Sequence, residues 1–232
     1  MVEQKKPKKT RSRSPEKKAQ QFERILEEGK QLFQEGGREG FTLTGLAKKL
    51  DMNQNNFYNY IESKRELWIA IRKKFYEQFR DENRKIISES NGSNIDTLLN
   101  IFTHFLEFAE NDFAAFRMMH IIRAPPSDKL GPYEKDYKQF YILDGTTRLI
   151  QKAINAGEVK GKNPAMLSFF MYSLLLGATI VEQIMRDIEE EMEENEEIEE
   201  HTQFGTQSFK SKEFRDFITQ IFKRNLLDPI DS

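Results

Sequence analysis

Apolar residues recur at spacings of three and four along most of the chain, and no stretch alternates apolar and polar positions long enough to form a half-buried strand. The pattern predicts an all-α protein. Ser14 suits a helix cap and Pro15 a first helical position; Ala19, Phe22, Ile25, Leu26, Gly29, Leu32 and Phe33 then share one face until Gly36, Gly37 and Gly40 end the helix. A short helix over Thr42–Leu50 turns Leu43, Leu46, Ala47 and Leu50 inward. Only Asp51, Met52 and Asn53 separate it from a second short helix over about Gln54–Ile61, with Asn53 as its cap. Ser63-Lys64-Arg65-Glu66 reads as a capping box. It opens a long helix to about Ser90, with Leu67, Ile71, Phe75 and Phe79 on its inner face. Further helices are expected over about Asn94–Glu110, Asp112–Arg123, Gly131–Ala156, Pro164–Asp187 and Ser211–Leu226, about nine in all, punctuated by Pro125-Pro126, Gly157, Gly161 and Asn163-Pro164.

Two short helices joined by a tight turn have the geometry in which the second enters the major groove of DNA. In that second helix Phe57 and Ile61 are available to face the first, leaving Gln54, Asn55, Asn56 and Asn59 outward. Amide side chains present donor and acceptor together and pair bidentately with adenine. A surface helix selected only for stability favours Glu, Lys and Ala instead. Thr42, Thr44, Lys48, Tyr58, Tyr60, Lys64 and Arg65 surround the same element with hydroxyls and cations of the kind that hold phosphates.

Charge sharpens this picture. Residues 1–80 carry 19 Lys+Arg against 11 Asp+Glu, whereas residues 81–232 carry 17 against 27. The basic third is therefore the part suited to a polyanion. Its first 18 residues hold eight Lys/Arg and two Glu, a composition that predicts a disordered basic arm adding salt-sensitive affinity.

The stretch Gly40–Ile71, "GFTLTGLAKKLDMNQNNFYNYIESKRELWIAI", resembles the DNA-binding domain of the TetR family of regulators, with Thr42, Leu46-Ala47, Met52, Asn53, Phe57-Tyr58, Ser63-Lys64 and Leu67 matching in order and spacing. The family's recognition contacts fall here on Asn53, Gln54, Asn55, Asn56, Tyr58 and Tyr60, and its phosphate-binding lysine on Lys64. Leu50-Asp51 stands where the family's turn carries Ala-Gly, Ile61 replaces a closing aromatic, and the opening of the recognition helix lacks the usual cation. The disordered basic arm is set at 1–14, and the resemblance implies a helix-turn-helix domain over 15–62 and a helical ligand-binding and dimerisation domain over 63–232.

It further implies that the last two long helices pair with those of a second copy, placing Phe169, Tyr172, Leu176, Ile180, Phe214, Phe217 and Ile221 at a homodimer interface. An inducer pocket in the middle helices is implied too, with Phe105, Phe116, Met119, His120, Tyr137, Tyr141 and Phe170 as candidates and Arg117 as a carboxylate partner. The Phe and Met content suggests an apolar or aromatic inducer. The expected protein is a ligand-responsive repressor that binds palindromic double-stranded DNA as a dimer in the cytoplasm.

Other classes find little support. Zero cysteines exclude disulfide scaffolds and thiolate metal sites, and three histidines in no ligand-spaced pair leave metal chemistry without a basis. No phosphate-loop or dinucleotide glycine pattern occurs, so neither an enzyme nor a cofactor is expected. Asn163–Val181 runs nineteen residues without a charge, but it contains Asn, Ser, Thr, Pro, Gly and Tyr and reads as a buried helix, not a membrane span. The competing reading is a helical adaptor that keeps the helix-turn-helix head without reading DNA. Ten acids in residues 187–200 are either a helix extension or a loop.

Overall fold

A computed structural model describes residues 14–135, 137, 142–160, 163–194 and 209–227. The basic arm as far as residue 13, Tyr141 and the acidic residues 195–200 lie outside the described residues.

Every regular element among the described residues is helical. These are α1 (Pro15–Gly40), α2 (Leu43–Lys49), a 3-10 helix (Gln54–Asn59), α3 (Lys64–Glu89), α4 (Asn94–Asn111), α5 (Phe113–His120), α6 (Pro132–Lys135), α7 (Leu143–Asn155), α8 (Pro164–Glu194) and α9 (Ser211–Leu227). The chain divides into two compact units, one of residues 1–74 with 124–135 and one of residues 75–123 with 136–232.

In the first unit, Ser14 caps α1 through its side chain, accepting from the Lys17 N–H at 3.4 Å. Gly37, at φ 59°, breaks the helical path near the end of α1. Phe22, Ile25, Leu26 and Phe33 of α1 are buried with Phe41, Leu46, Phe57, Leu67 and Trp68. Phe33 and Phe41 meet the Trp68 ring edge-on, at 5.2 and 5.5 Å between centroids, a geometry that aligns ring edges with ring faces. Gly29 is closely packed: a β-carbon there would sit 2.5 Å from the end of the Ile71 side chain, which would have to shift.

The segment 124–135 belongs to this unit because α3 opens with a buried carboxylate that holds it. Glu66 receives the Glu62 N–H at 2.6 Å and the Tyr133 N–H at 3.0 Å, while its own N–H donates to Ser63 Oγ at 3.1 Å. The capping box is thus half made: Ser63 caps, but the Glu66 carboxylate serves the N–H of Glu62, four positions back, and that of a residue 67 positions away. Arg65 donates to the buried Glu134 at 2.7 Å and to the Pro125 carbonyl. Tyr133 also packs its ring on Phe22 at 5.0 Å. Burial pushes the Tyr133 phenol above its ordinary range, and the nearby Glu23 and Glu66 carboxylates add to this. These ties explain why Gly131–Ala156 is not the single helix its periodicity predicts: α6 is one turn fastened to the first unit, and the helix starts afresh at Leu143.

The second unit packs α4 against α5, α7, α8 and α9, with α7 on α8 and α8 on α9. Ser93 and Asp96 form a complete capping box at α4. Glu158, just after α7, accepts from Asn94 and from the Ile95 N–H at 3.1 Å, placing a second carboxylate at the same helix start. Phe102, Phe105, Phe116, Ile150, Met171 and Phe222 form its core. A ring of charges joins three helices: Glu110 of α4 and Glu182 of α8 bind Arg186 of α8 and Arg215 of α9. Burial alone would raise the Glu110 carboxyl, but hydrogen bonds and charge from Arg215 and Arg186 prevail and hold it below its ordinary value. The acidic run is helical through Glu194.

Candidate nucleic-acid interface and cavity

The short helices of the first unit are built by local side-chain bonds. Thr42 caps α2, accepting from the Gly45 N–H at 3.0 Å, and Asn53 caps the next element, accepting from the Asn55 N–H at 2.9 Å. That second element is 3-10 instead of α, tightened by bonds from Asn56 N–H to Asn53 and from Tyr60 N–H to Phe57 three residues back. Asparagine competes for backbone bonds and is a poor α-helix former, so a tight, short turn replaces the expected two-turn helix.

Its two faces are cleanly divided. Phe57 and Ile61 are buried, whereas Asn53, Gln54, Asn55, Asn56, Tyr58 and Asn59 are exposed, Tyr58 at 54%. Thr44 donates to Gln54 at 3.2 Å, so those two side chains present one joined polar surface across the two helices. Tyr60 is half-buried, stacked on Phe22 with 6.0 Å between centroids and with the Lys18 ammonium 5.8 Å from its ring. Lys64 is half-buried at the start of α3, its ammonium 5.8 Å from the Phe41 ring. The ten residues picked out as DNA contacts therefore lie on, or cap, α2, the 3-10 helix and the start of α3. Asp51 occupies the turn at φ 50°, in the left-handed region that glycine adopts most readily.

The second unit contains a cavity of about 330 Å³. One wall is a single stripe of α3, Tyr76, Phe79, Arg80, Asn83, Arg84 and Ile87, and the other comprises Ile101 with Ile142, Asp144, Gly145, Thr146 and Arg148 around the start of α7. Phe79, Asn83, Ile101, Ile142 and Thr146 also border a smaller chamber of about 60 Å³. That chamber is completed by Leu98, Phe102, Phe105, Leu143, Ser168, Met171, Tyr172, Leu175 and Phe222.

Of the residues proposed for an inducer, Phe105 lines this chamber. Phe116 and Met119 are core residues behind it, and His120 bonds the Tyr172 hydroxyl at 3.0 Å. Arg117 is exposed on α5, Tyr137 is half-buried, and Phe170 stands 46% exposed on α8. None of these six borders the cavity or the chamber. The stripe Arg80-Asn83-Arg84-Ile87 was not among the candidates, although its three-and-four spacing continues the inner face from Phe79.

Among the interface candidates, Phe169 and Phe217 are exposed, whereas Tyr172, Leu176, Ile180, Phe214 and Ile221 are half-buried. Met166, Phe170, Ser173, Gly177, Val181 and Ile184 form one exposed stripe along α8. This helix, over Pro164–Met192, is long and apolar enough to cross a membrane, and only 28% of its most apolar window is buried. No cluster of metal-ligating side chains occurs among the described residues.

No family model matches the sequence, and no curated protein matches it either. Solved structures do. A TetR-family transcriptional regulator from Pectobacterium atrosepticum superposes with a TM-score of 0.65 at 15% identity, covering 93% of this chain and 98% of its own. The transcriptional regulator FadR from Bacillus subtilis, in complex with stearoyl-CoA, gives 0.61 at 14% identity over 90% and 99%. A candidate transcriptional regulator from Saccharomonospora viridis, in complex with choline, gives 0.62 at 12% identity over 90% and 99%. These neighbours are described as regulators and not as enzymes. With its helix-turn-helix head and helical second unit, the chain has the all-α fold of the TetR-family transcriptional regulators.

Proposed function

We propose that the protein is a ligand-responsive transcriptional repressor that binds palindromic double-stranded DNA as a homodimer. The observation that carries this reading is the exposed row of amides, Asn53 to Asn56 with Asn59, projecting from a short helix anchored underneath by Phe57 and Ile61. Lys64, Thr42, Thr44, Tyr58 and Tyr60 supply the phosphate contacts that fix register, and the amides read A·T-rich edges. The first unit is the reader and the second the regulatory and dimerisation unit.

The apolar stripe of α8 supports the dimer. Phe169, Phe170, Val181 and Ile184, with Phe217 on α9, form an exposed patch of large apolar side chains on the isolated chain. Patches of this kind mark interfaces. A second copy placed against it by two-fold symmetry covers the same surface on both chains and sets two reading heads on one face of the duplex. The membrane-length apolar stretch is then an intersubunit helix in a cytoplasmic protein.

A ligand releases DNA only in so far as it binds the DNA-free conformation better. Bound stearoyl-CoA and choline in two structural neighbours support a ligand-responsive second unit. One of these molecules is anionic and the other cationic, so the neighbours do not choose the chemistry. The test is selection from random duplexes with the full chain. Enrichment of a palindrome is the expected result; recovery of no sequence above background overturns the reading in favour of a protein-binding adaptor.

A further inference from the structure

The cavity of the second unit has two chemically distinct ends, and their order selects a class of ligand. The inner chamber is walled by aromatic, Leu, Ile and Met side chains, with Ser168, Thr146 and Asn83 as its small polar contributions. Ser168 is already engaged, accepting from Thr147 at 2.8 Å and donating to the Pro164 carbonyl at 2.9 Å. Asn83 is bonded to His104 at 2.9 Å. The inner end therefore has little left to offer a polar group and suits a hydrocarbon.

The outer end is different. Arg80, Arg84 and Arg148 border it from two helices, against one lining carboxylate among the described residues, Asp144. Arg84 leans on Asp81 at 3.0 Å, with Arg80 3.9 Å from the same carboxylate. Arg148 is exposed and forms no ion pair among the described residues. Guanidinium groups are planar forks that bind carboxylates and phosphates bidentately, and they repel a cationic head of the same size. Three of them, on two facing walls that continue into an apolar chamber, make a receptor with a charged mouth and a greasy interior.

We propose that this cavity binds an anionic amphiphile, a molecule with a carboxylate or phosphate head at Arg80, Arg84 and Arg148 and a hydrocarbon tail directed into the chamber beside Phe79, Phe102 and Phe105. The proposal rests on the regulator reading only in making this ligand the effector; binding itself is independent of DNA.

The experiment uses the full chain and four probes of equal chain length: decanoate, decyl phosphate, decanol and decyltrimethylammonium, titrated calorimetrically. Decanoate or decyl phosphate should bind at least about tenfold more tightly than decanol, and the cation most weakly, since charge-assisted bonds are the strong ones. The stronger of the two anions identifies the head group. The double variant Arg84→Gln, Arg148→Gln, altering two exposed side chains, should lose about tenfold for the preferred anion with no change for decanol. Equal binding of all four probes, a preference for decanol or the cation, or an anion preference that survives in the double variant overturns the proposal. A palindrome recovered from random duplexes alongside any of these results leaves the regulator reading standing, so the two failures are distinguishable.

Discussion

The two units solve the burial problem differently. The first is finished within one chain: Phe33, Phe41, Phe57 and Trp68 are fully buried, while the amides of Asn53 to Asn56 and Asn59 are left outside. The second is unfinished, with an apolar stripe along α8 exposed and a cavity between α3, α4 and α7. Reading DNA needs a rigid surface that does not change shape on its own. Sensing needs an element whose energy still depends on what covers or fills it. On the function proposed above, a closed aromatic core in one unit and an open helical one in the other would match that division of labour.

The sharpest way to break the comparison is to make the second unit's open face permanently unfit for a partner. Phe169→Glu with Phe217→Glu places charges on two side chains that are 47% and 58% exposed in one chain, so the fold should survive. The expected outcome is a monomer by light scattering, with operator affinity reduced by on the order of a hundredfold or more, because two linked heads bind far more tightly than one. A variant that stays dimeric places the contact between copies elsewhere.

The closure of the first unit is tested next by Gly131→Ala. A β-carbon at this position lands on the Glu66 carboxylate, which is buried and bonded to two backbone N–H groups. Displacing it leaves a buried charge short of donors, and a loss of about 2–4 kcal/mol is expected in denaturant melts. Gly145→Ala is the control, having open space around its position. Equal stability of the two variants would show that the returning segment is not held by Glu66.

Acid should then loosen the second unit through its charge ring. Arg215 and Arg186 hold Glu110 below its ordinary value of 4.5, so the folded state favours the ionised carboxyl more than the unfolded chain does. That contribution is fully present above the unfolded value and is lost as pH falls below about 4.5 through the depressed folded value. Melting temperature should therefore fall less steeply between pH 5 and pH 3 in Glu110→Gln than in the parent. Parallel curves would count against the ring as an acid-sensitive clamp.

What was legible in the sequence follows from how far apart the interacting residues are. Thr42, Asn53 and Ser93 act on backbone groups two or three positions away, so caps, helix starts and the exposed amides are readable from short windows. Glu66 with Tyr133 is a pairing across 67 positions, and no local pattern announces it; hence the expectation of one helix over Gly131–Ala156. The cavity was obscured for a related reason. Arg80, Asn83 and Arg84 on α3 look like a solvated face until Ile142 and Arg148 are brought opposite them. Phe and Met content alone pointed toward Phe116 and Met119, which are buried and do not line the cavity.

The smallest effect concerns Asp51. Its φ of 50° places an acidic, Cβ-bearing residue where the chain turns from α2 into the 3-10 helix, a conformation that costs a non-glycine residue about 1 kcal/mol. Asp51→Gly removes that strain but enlarges the conformational freedom of the unfolded chain by a similar amount, about 0.4–1 kcal/mol. Stability should stay within about 0.5 kcal/mol of the parent, while loss of a carboxylate beside the exposed amides should raise operator affinity a few-fold at low salt and less at high salt. Asp51→Val keeps the electrostatic gain but forces a β-branched residue into the left-handed region, so it should destabilise by about 1–3 kcal/mol. If Asp51→Gly and Asp51→Val both leave affinity unchanged across a salt titration, the turn stands apart from the phosphate backbone and the docking assigned to the 3-10 helix is wrong.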